Sequence, residues 1–392
     1  MFSSRTPADL ADNRLAQAVA RVRRDGRPFI DLTVSNPTRA GFDYLPGLLA
    51  PLADRRGLVY APEALGLLEA RRAVARDYAA RGFDVDPARV LLTASTSDAY
   101  TMLFKLLADP GDEILVPRPS YPLFEHLTRL DGLAARTYDL DAESRWAIDF
   151  ASLEAALTPR TRAVLVVSPN NPTGSYVSAA EMDRLAGLCA ARGLAIVADE
   201  VFTDYRLEAD VAPGQVLGRD DVLWFSLGGL SKAAGLPQVK LGWAIVGGPD
   251  TLAVPALGRL ELIADTYLSV STPVQAAAGE LLEAGAAIRA QIAARTARNY
   301  ARLRARTAPP SPCRALRADG GWYGVVRVPS MEAEEDLVIH LLESRGVLVH
   351  PGYFFDFPHE SYVIVSLLAG PGPFDEGLDR ILRHFDCTDA GR

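Results

Sequence analysis

Between residues 60 and 270 the sequence alternates helical stretches with short apolar runs, and this alternation restricts the possible folds more than any other feature. Strands that are buried on both faces are apolar along their whole length, and a helix after each strand is typical of a parallel sheet. The pattern predicts an α/β fold in three layers, with a mostly parallel sheet between two layers of helices. The apolar runs are Arg89–Thr93, Glu113–Val116, Arg162–Ser168, Leu194–Ala198 and Asp221–Phe225.

A sixth apolar run, Leu241–Val246, follows the fifth so closely that no long crossover fits between them. A parallel strand needs such a crossover, so we expect this run to return antiparallel.

The character of the sequence changes after residue 270, to long Ala/Arg/Glu helices and then short strands at Gly321–Val328 and Tyr362–Ser366. A helix at Leu10–Arg24 stands at the other end of the chain. We therefore predict two domains, which are a large domain at 46–270 and a smaller α+β domain built from 1–45 plus 271–392.

Composition argues against several kinds of function. The formal net charge of −8 over 392 residues disfavours a nucleic-acid surface. The first residues lack a basic segment followed by an apolar core, and no run is long enough to span a bilayer, so we expect a cytoplasmic protein. Cys189, Cys313 and Cys387 are far apart, which favours structural thiols in a reducing compartment. The five histidines show no metal-binding spacing, so we expect no metal site.

One lysine stands where a nucleophile is expected. Lys232 follows the run Asp221–Phe225 on a glycine-rich turn, where its side chain can emerge into a crevice. An amine in this position can form a Schiff base, and a second cation at Lys240 would help to keep it neutral. The alternative is that both lysines are solvated surface charges, as most lysines are.

Hydroxyl groups follow the first apolar run. Ser95, Thr96 and Ser97 precede an expected helix at Ala99–Leu107. Hydroxyls and free amides at the start of a helix suit a phosphate dianion. The alternative is an ordinary helix cap.

Polar groups also end two further strands. Asp199 ends the run Leu194–Ala198, and an aspartate there needs a cationic partner, such as a protonated pyridine nitrogen. Asn171 would bond a ring hydroxyl, and Tyr121 would stack on the ring. Taken separately, these residues also suit a cap, a turn and simple packing. Taken together with the lysine and the phosphate site, they indicate pyridoxal 5'-phosphate.

The motifs Asn170-Asn-Pro-Thr-Gly174, Asp199-Glu-Val-Phe202 and Ser231-Lys…Lys240-Leu-Gly-Trp243 resemble those of the fold-type I, class I/II aminotransferases. The resemblance covers nearly the whole chain, from the Ser35-Asn36-Pro37 loop to the C-terminal strands. It implies the fold of pyridoxal-phosphate-dependent transferases and a homodimer with shared active sites.

By position, the resemblance implies a role for each motif residue. Lys232 would form the internal aldimine and carry the proton, and Asp199 would pair with the pyridinium nitrogen. Asn171 would lie near the phenolic oxygen, and Tyr121 would stack on the ring. The residues implied at the phosphate are Ser95, Thr96, Ser97, Ser231, Lys240 and, from the neighbouring subunit, Tyr60.

Three positions depart from the family pattern. Phe202 replaces a tyrosine that in many relatives bonds the phenolic oxygen, and Lys240 replaces an arginine, so a point charge stands in for a bidentate fork. Ile364 replaces the arginine that binds the substrate α-carboxylate. Either another group binds this carboxylate or the substrate has none, because burying it without a cation is costly.

Several residues are candidates for the substrate pocket. Arg39 follows Asn36 in the loop that normally borders the substrate in this family, so it is the first candidate to replace the missing arginine. Arg327 is a second candidate, and Tyr353 is a candidate for the pocket wall. The alternative for each is an ordinary surface or packing position.

Three functions are compatible with these residues. The favoured one is a transaminase that moves an amino group between an amino acid, or an amine, and a 2-oxo acid through Lys232. The alternative is a pyridoxal-phosphate lyase, decarboxylase or other amine-processing enzyme, because a fold does not determine the reaction. A non-catalytic regulatory domain is disfavoured, since Lys232 and Asp199 are both retained.

Overall fold

The computed structural model describes residues 1–359 and 361–386. Cys189 and Cys313 are buried free thiols, whereas Cys387 lies outside the described residues. Within this part of the chain, no helix is both long and apolar enough to cross a membrane.

Helices and strands alternate through the first two thirds of the chain. The helices are α1 (Arg14–Arg24), α2 (Leu68–Ala80), α3 (Thr96–Leu107), α4 (Phe124–Leu130), α5 (Phe150–Ala156), α6 (Ala179–Arg192), α7 (Leu230–Ala233), α8 (Asp250–Tyr267), α9 (Thr272–Arg306), α10 (Glu334–His340) and α11 (Pro371–Phe385). The strands are β1 (Ile30–Asp31), β2 (Val90–Thr93), β3 (Glu113–Arg118), β4 (Ala134–Asp141), β5 (Ala147–Ile148), β6 (Thr161–Val167), β7 (Ala195–Asp199), β8 (Trp224–Gly229), β9 (Gly242–Gly247), β10 (Arg314–Ala315), β11 (Tyr323–Arg327), β12 (Val347–Leu348), β13 (His350–Pro351) and β14 (Tyr362–Ser366).

The largest sheet has the strand order β2-β9-β8-β7-β6-β3-β4-β5. Strands β8, β7, β6, β3 and β4 pair in parallel, and β2 runs in the same direction because both β2 and β8 are antiparallel to β9. The antiparallel return of β9 confirms the expectation from its short connection. The mostly parallel α/β architecture is also confirmed.

Successive residues of the central strands enter two separate cores. In β6, Val164 and Val166 pack in one core with residues of α2, α6 and α9. Ala163 and Leu165 pack in the other core, with residues of α3 and α8. The sheet is therefore covered by helices on both faces, which explains why its strands are apolar throughout.

A second sheet has the antiparallel order β10-β11-β14-β13 and packs with α1, α10 and α11. Strand β1 pairs in parallel with β12, where Ile30 lies opposite Val347, so the two ends of the chain meet. This pairing fits a domain built from both ends. The boundaries at 46–270 remain a prediction.

Element boundaries differ from the sequence expectations where side chains cap helices. Helix α3 begins at Thr96 rather than Ala99, because Ser95 Oγ accepts a hydrogen bond of 3.1 Å from the amide of Asp98. Helix α1 begins at Arg14 rather than Leu10, because Asn13 caps it. Strand β4 was not expected, since most of its residues are polar or partly exposed. The helical region after residue 270 starts with one helix of 35 residues, α9.

Candidate active site

A cavity of about 210 Å³ opens at the carboxyl ends of β6, β7 and β8. This edge of a parallel sheet is the usual place for ligands in α/β folds. The residues predicted from sequence that line the cavity are Thr96, Ser97, Tyr121, Asn171, Asp199 and Lys232. Side chains that sequence analysis did not place there include Ser35, Tyr100, Trp322 and Tyr323.

Lys232 lies in the short helix α7, which follows β8 directly. The hydroxyl of Tyr205 donates a hydrogen bond to the Lys232 carbonyl and thereby holds this turn. The Lys232 amine lies 5.5 Å from the ring centre of Phe202 and 5.0 Å from that of Trp322. Burial lowers the pKa of Lys232, Asp199 opposes this shift, and Lys240 adds to it. The surroundings therefore favour the neutral amine that a nucleophile requires.

Asp199 is the last residue of β7 and is buried. Its Oδ2 accepts a hydrogen bond of 2.7 Å from the Tyr100 hydroxyl, and its Oδ1 accepts one of 3.2 Å from the amide of Val201. Burial raises the pKa of Asp199, whereas these two hydrogen bonds lower it. The carboxylate is thus held in one orientation and would be stabilised by a cation in the cavity.

Asn171 is buried in the loop after β6, and its Oδ1 has no hydrogen-bond partner among the described residues. The loop is held by its neighbour Asn170, whose Nδ2 donates to the Pro119 carbonyl at 3.0 Å and to Thr173 Oγ1 at 2.9 Å. Because buried amide groups normally have partners, Asn171 is a polar group available to a ligand.

The start of α3 forms another wall of the cavity. The Ser95 hydroxyl caps the helix, which is the alternative to phosphate binding that the sequence allowed. Thr96 and Ser97 line the cavity. The first amides of a helix carry no intrahelical bonds, so this end of α3 can bind an anion.

Glu200 lies directly after Asp199, and Ser226 Oγ donates a hydrogen bond of 2.5 Å to its Oε2. Burial raises the pKa of Glu200 to about 7, and the Ser226 hydrogen bond and Arg81 oppose that shift. A second titratable carboxyl group is therefore present beside the site. Glu200 belongs to the motif Asp199-Glu-Val-Phe202, but its burial could not be derived from that motif.

Some of the predicted cofactor residues do not line the cavity. Ser231 is partly buried next to Lys232, and Lys240 is exposed in a left-handed conformation with φ of 64°. Tyr60 is 77% exposed and lies against a different pocket, with residues of α8 and the start of α9. Within this single chain, Tyr60 therefore makes no contribution to the cavity.

The substrate candidates also lie outside the cavity lining. Asn36 Oδ1 accepts a hydrogen bond of 3.0 Å from the amide of Thr38 and starts a short turn, Pro37–Arg39. Arg39 is exposed at the end of this turn, close in sequence to the lining residue Ser35. The Tyr353 hydroxyl points to Glu335 at 3.4 Å.

Arg327 faces another cleft. It lines a surface cleft with residues of the β4–β5 connection, such as Asp141 and Glu143. The second candidate for the missing arginine is thus separate from the Lys232 cavity.

Ile364 is fully buried in β14, between Val325 of β11 and His350 of β13. The side chains that line the cavity include no arginine. Instead, Phe202, Trp322 and Tyr323 form an aromatic wall. Ile364 itself is not among the described residues that line the cavity.

This cavity, at the carboxyl edge of a mostly parallel sheet, has the composition of a pyridoxal-phosphate site. The Asn171 amide would donate from its Nδ2 to the ring oxygen, the buried Asp199 would pair with the ring nitrogen, and the partly buried Lys232 amine would meet the aldehyde of that cofactor. The residues present therefore fit the group.

Comparisons with known proteins agree with this class. The model for the family "Aminotransferase class I and II" matches residues 41–375. Alanine aminotransferase of Mycobacterium tuberculosis is 30% identical over 93% of this chain and 87% of its own length. Glutamate–pyruvate aminotransferase of Escherichia coli is 30% identical over 65% of this chain and 64% of its own length.

Solved structures show the same fold. An aspartate aminotransferase of Thermus thermophilus superposes with a TM-score of 0.83 at 25% identity, over 98% of this chain and 99% of that one. Alanine aminotransferase of Pyrococcus furiosus superposes with a TM-score of 0.88 at 23% identity, over 98% and 99%. The chain belongs to the class I and II aminotransferases, and it is a pyridoxal-phosphate-dependent transaminase.

Proposed function

We propose that Lys232 is the catalytic lysine and that the cavity around it carries out the transfer of an amino group to a 2-oxo acid. The observation that carries this proposal is the convergence of Lys232, Asp199 and Asn171 on one cavity. These residues are widely separated in sequence, and they offer an amine, an acid and an amide to a single ligand.

Pyridoxal phosphate, when bound, supplies an aldehyde that condenses with amines and a ring that withdraws electrons. Lys232 would hold the cofactor through its amine and, once displaced by the donor amine, would take a proton from the donor carbon, because its surroundings favour the neutral amine. Asp199 stabilises positive charge at the ring nitrogen, and the Tyr100 hydroxyl keeps its carboxylate in place. Asn171 would hold the ring oxygen by donating a hydrogen bond from its Nδ2.

The phosphate group would bind at the start of α3. Thr96 and Ser97 of its first turn line the cavity, and Ser231 and Lys240 would complete the site. The helix dipole adds to this attraction.

The site is proposed to be shared between two copies of the chain. Leu45, Leu49, Leu58, Val59 and Tyr60 are exposed large apolar residues within a short segment. Such a concentration is typical of a surface that is covered by a partner. In a homodimer, Tyr60 would contact the phosphate bound in the neighbouring subunit.

The amino donor is proposed to be a small amino acid, and the names of the relatives make alanine and pyruvate the first pair to test. Arg39 is proposed to bind the donor carboxylate, because it is an exposed cation close to the lining residue Ser35.

A second donor class is favoured by one observation. Ile364 is fully buried where relatives bind the carboxylate, and the lining side chains include no arginine. A donor amine without a carboxylate would avoid the free-energy cost of burying a carboxylate that has no cationic partner. The relatives favour amino transfer over the lyase and decarboxylase alternatives.

We also propose a cytoplasmic location and the two-domain division at residues 46–270. The free thiols of Cys189 and Cys313 support a reducing compartment. The pairing of β1 with β12 supports a smaller domain built from both chain ends.

The test is a single-turnover experiment with the cofactor-loaded enzyme, a panel of amino acids and amines, and no acceptor. A transaminase releases one equivalent of 2-oxo acid or aldehyde per site and then stops until an acceptor is added. Continued turnover without acceptor would contradict the proposal and indicate a lyase or decarboxylase.

The control for the role of Lys232 is Lys232→Ala. The variant is expected to lose the visible absorbance of the lysine-bound cofactor and to lose turnover by several orders of magnitude. Retention of both properties would refute the assignment of the lysine.

A further inference from the structure

A cluster of two histidines and a glutamate lies outside the cavity. One ligand atom from each of Glu332, His340 and His384 lies within 4.8 Å of the others. His340 ends α10, His384 is next to the end of α11, and Glu332 precedes α10. None of the three lines the Lys232 cavity. The fold, not the sequence spacing, brings these side chains together.

The distances within the cluster leave room for an ion. His340 Nδ1 lies 3.4 Å from Glu332 Oε1, and His384 Nε2 lies 3.7 Å from the same oxygen. Both distances exceed the 2.7–3.2 Å of a good N–H···O hydrogen bond. Ligands bound tetrahedrally to Zn²⁺ at about 2.0–2.2 Å are about 3.3–3.5 Å apart, which is close to these separations.

His384 is the least exposed member of the cluster. Its side chain is only 8% exposed, and its buried Nδ1 has no hydrogen-bond partner among the described residues. A buried imidazole with unsatisfied nitrogens costs stability. Coordination of an ion through Nε2 would give that nitrogen a partner and would leave Nδ1 as it is.

The position of the cluster also suits a cation. His384 lies in the last turn of α11, where the helix carbonyls carry partial negative charge. Glu332 and His340 are 30% and 47% exposed, so an ion can enter from solvent and the side chains can adjust. Arg345 is the cation near His384, and it opposes binding.

We propose that Glu332, His340 and His384 form a binding site for a divalent transition-metal ion, with Zn²⁺ as the best match. Two imidazoles and one carboxylate are a ligand set of zinc sites, with the fourth position left to water. The ion would link the two ends of α10 to the end of α11. It would act on stability rather than on the transfer reaction. This proposal departs from the sequence expectation of no metal site, which considered only ligands close in sequence.

The test is calorimetric titration of the chelator-treated, cofactor-loaded enzyme with ZnCl₂, with MgCl₂ as the comparison ion. We expect one Zn²⁺ per chain, a rise in Tm with Zn²⁺, and no binding of Mg²⁺, which prefers oxygen ligands. Transaminase activity should not change on addition of Zn²⁺.

Two variants assign the site. Glu332→Gln and His340→Ala change partly exposed side chains and should weaken Zn²⁺ binding at least about tenfold each, with transaminase activity unchanged. The matched control is His126→Ala, because His126 is an exposed histidine on α4 outside the cluster, and it should bind Zn²⁺ like the parent enzyme. Absence of stoichiometric binding, or binding that both cluster variants retain, would overturn the proposal.

Discussion

Burial changes the chemistry of individual side chains in this site more than neighbouring charges do. For Lys232, burial is the largest cause of the lowered pKa, and the cation Lys240 is a smaller one. For Asp199 and Glu200, burial raises the pKa against hydrogen bonds that lower it. A sequence can show that an acid or amine ends a strand, but the free energy of burying it depends on everything that packs around it.

Glu200→Gln tests this effect through the pH dependence of stability. The Glu200 pKa is about 7 in the folded state and 4.5 in the reference state, so the folded protein retains a proton that the unfolded chain releases between these values. The free energy of unfolding therefore falls as pH rises from about 4.5 to 7, and this loss is complete above pH 7.

Removal of this group should raise the free energy of unfolding by about 1–3 kcal/mol above pH 7, with little gain below pH 4.5. Urea unfolding at several pH values measures the difference. Glu283→Gln, an exposed glutamate on α9, is the control and should change little. An equal gain at all pH values would contradict the assigned pKa.

Arg39→Ala tests the proposed carboxylate contact. If Arg39 binds the donor carboxylate, loss of a charged hydrogen bond should lower kcat/KM for alanine about tenfold or more. Turnover of a simple amine should be unaffected. Arg192→Ala, which changes an exposed arginine at the end of α6, is the control. Unchanged kcat/KM for alanine would exclude Arg39 as the group that binds the donor carboxylate.

Contacts between neighbouring elements place the phosphate end of the site. Strand β9 lies against the start of α3, and Gly242 allows this approach. A Cβ added at Gly242 would lie 2.8 Å from the Ser95 carbonyl carbon and 3.1 Å from the Thr96 amide nitrogen. The antiparallel strand that follows Lys232 thus helps to fix the helix end that is proposed to bind phosphate.

Gly242→Ala should force these two elements apart. We expect the free energy of unfolding to fall by about 1–3 kcal/mol, and the affinity for pyridoxal phosphate to fall as the first turn of α3 moves. Thermal unfolding and cofactor titration measure the two effects. Gly258→Ala on α8 is the control, because its added Cβ meets nothing within 4 Å and should leave affinity unchanged. Equal cofactor affinity in Gly242→Ala would show that this contact does not position the site.

A complete active site is proposed to need two copies of the chain. Tyr60 is 77% exposed in one chain and lies away from the Lys232 cavity, although the family resemblance implies a phosphate contact. Both hold if Tyr60 contacts the phosphate in the neighbouring subunit rather than in its own. In such a dimer, the second subunit would also cover the exposed apolar segment around Tyr60.

Mixed dimers of Lys232→Ala and Tyr60→Ala chains test the shared site. If Tyr60 acts across the interface, one site of the heterodimer has both residues intact and the other lacks both. The purified heterodimer should then have about half of the wild-type activity, although each parent homodimer is impaired. Activity no higher than that of the parents would place Tyr60 in its own subunit or outside the site.

The alternation of apolar strands and helices, together with the motifs around Lys232, Asp199 and Asn171, was enough to predict the α/β class and the cofactor. These signals are local, because a run of consecutive residues shows both that a strand is buried and which polar side chain follows its end. Strand β4 and the start of α3 were not predicted correctly. They depend on solvent exposure and on side-chain capping, which the pattern of hydrophobic residues does not describe.

Tertiary structure decided which distant side chains meet. It brought Tyr100 to Asp199, placed Trp322 and Tyr323 in the wall of the cavity, and directed Arg327 to another cleft. It also gathered Glu332, His340 and His384 from separate elements. Such contacts join residues that are far apart along the chain. Their distances, burial and pKa values therefore exist only once the sheets and helices have packed.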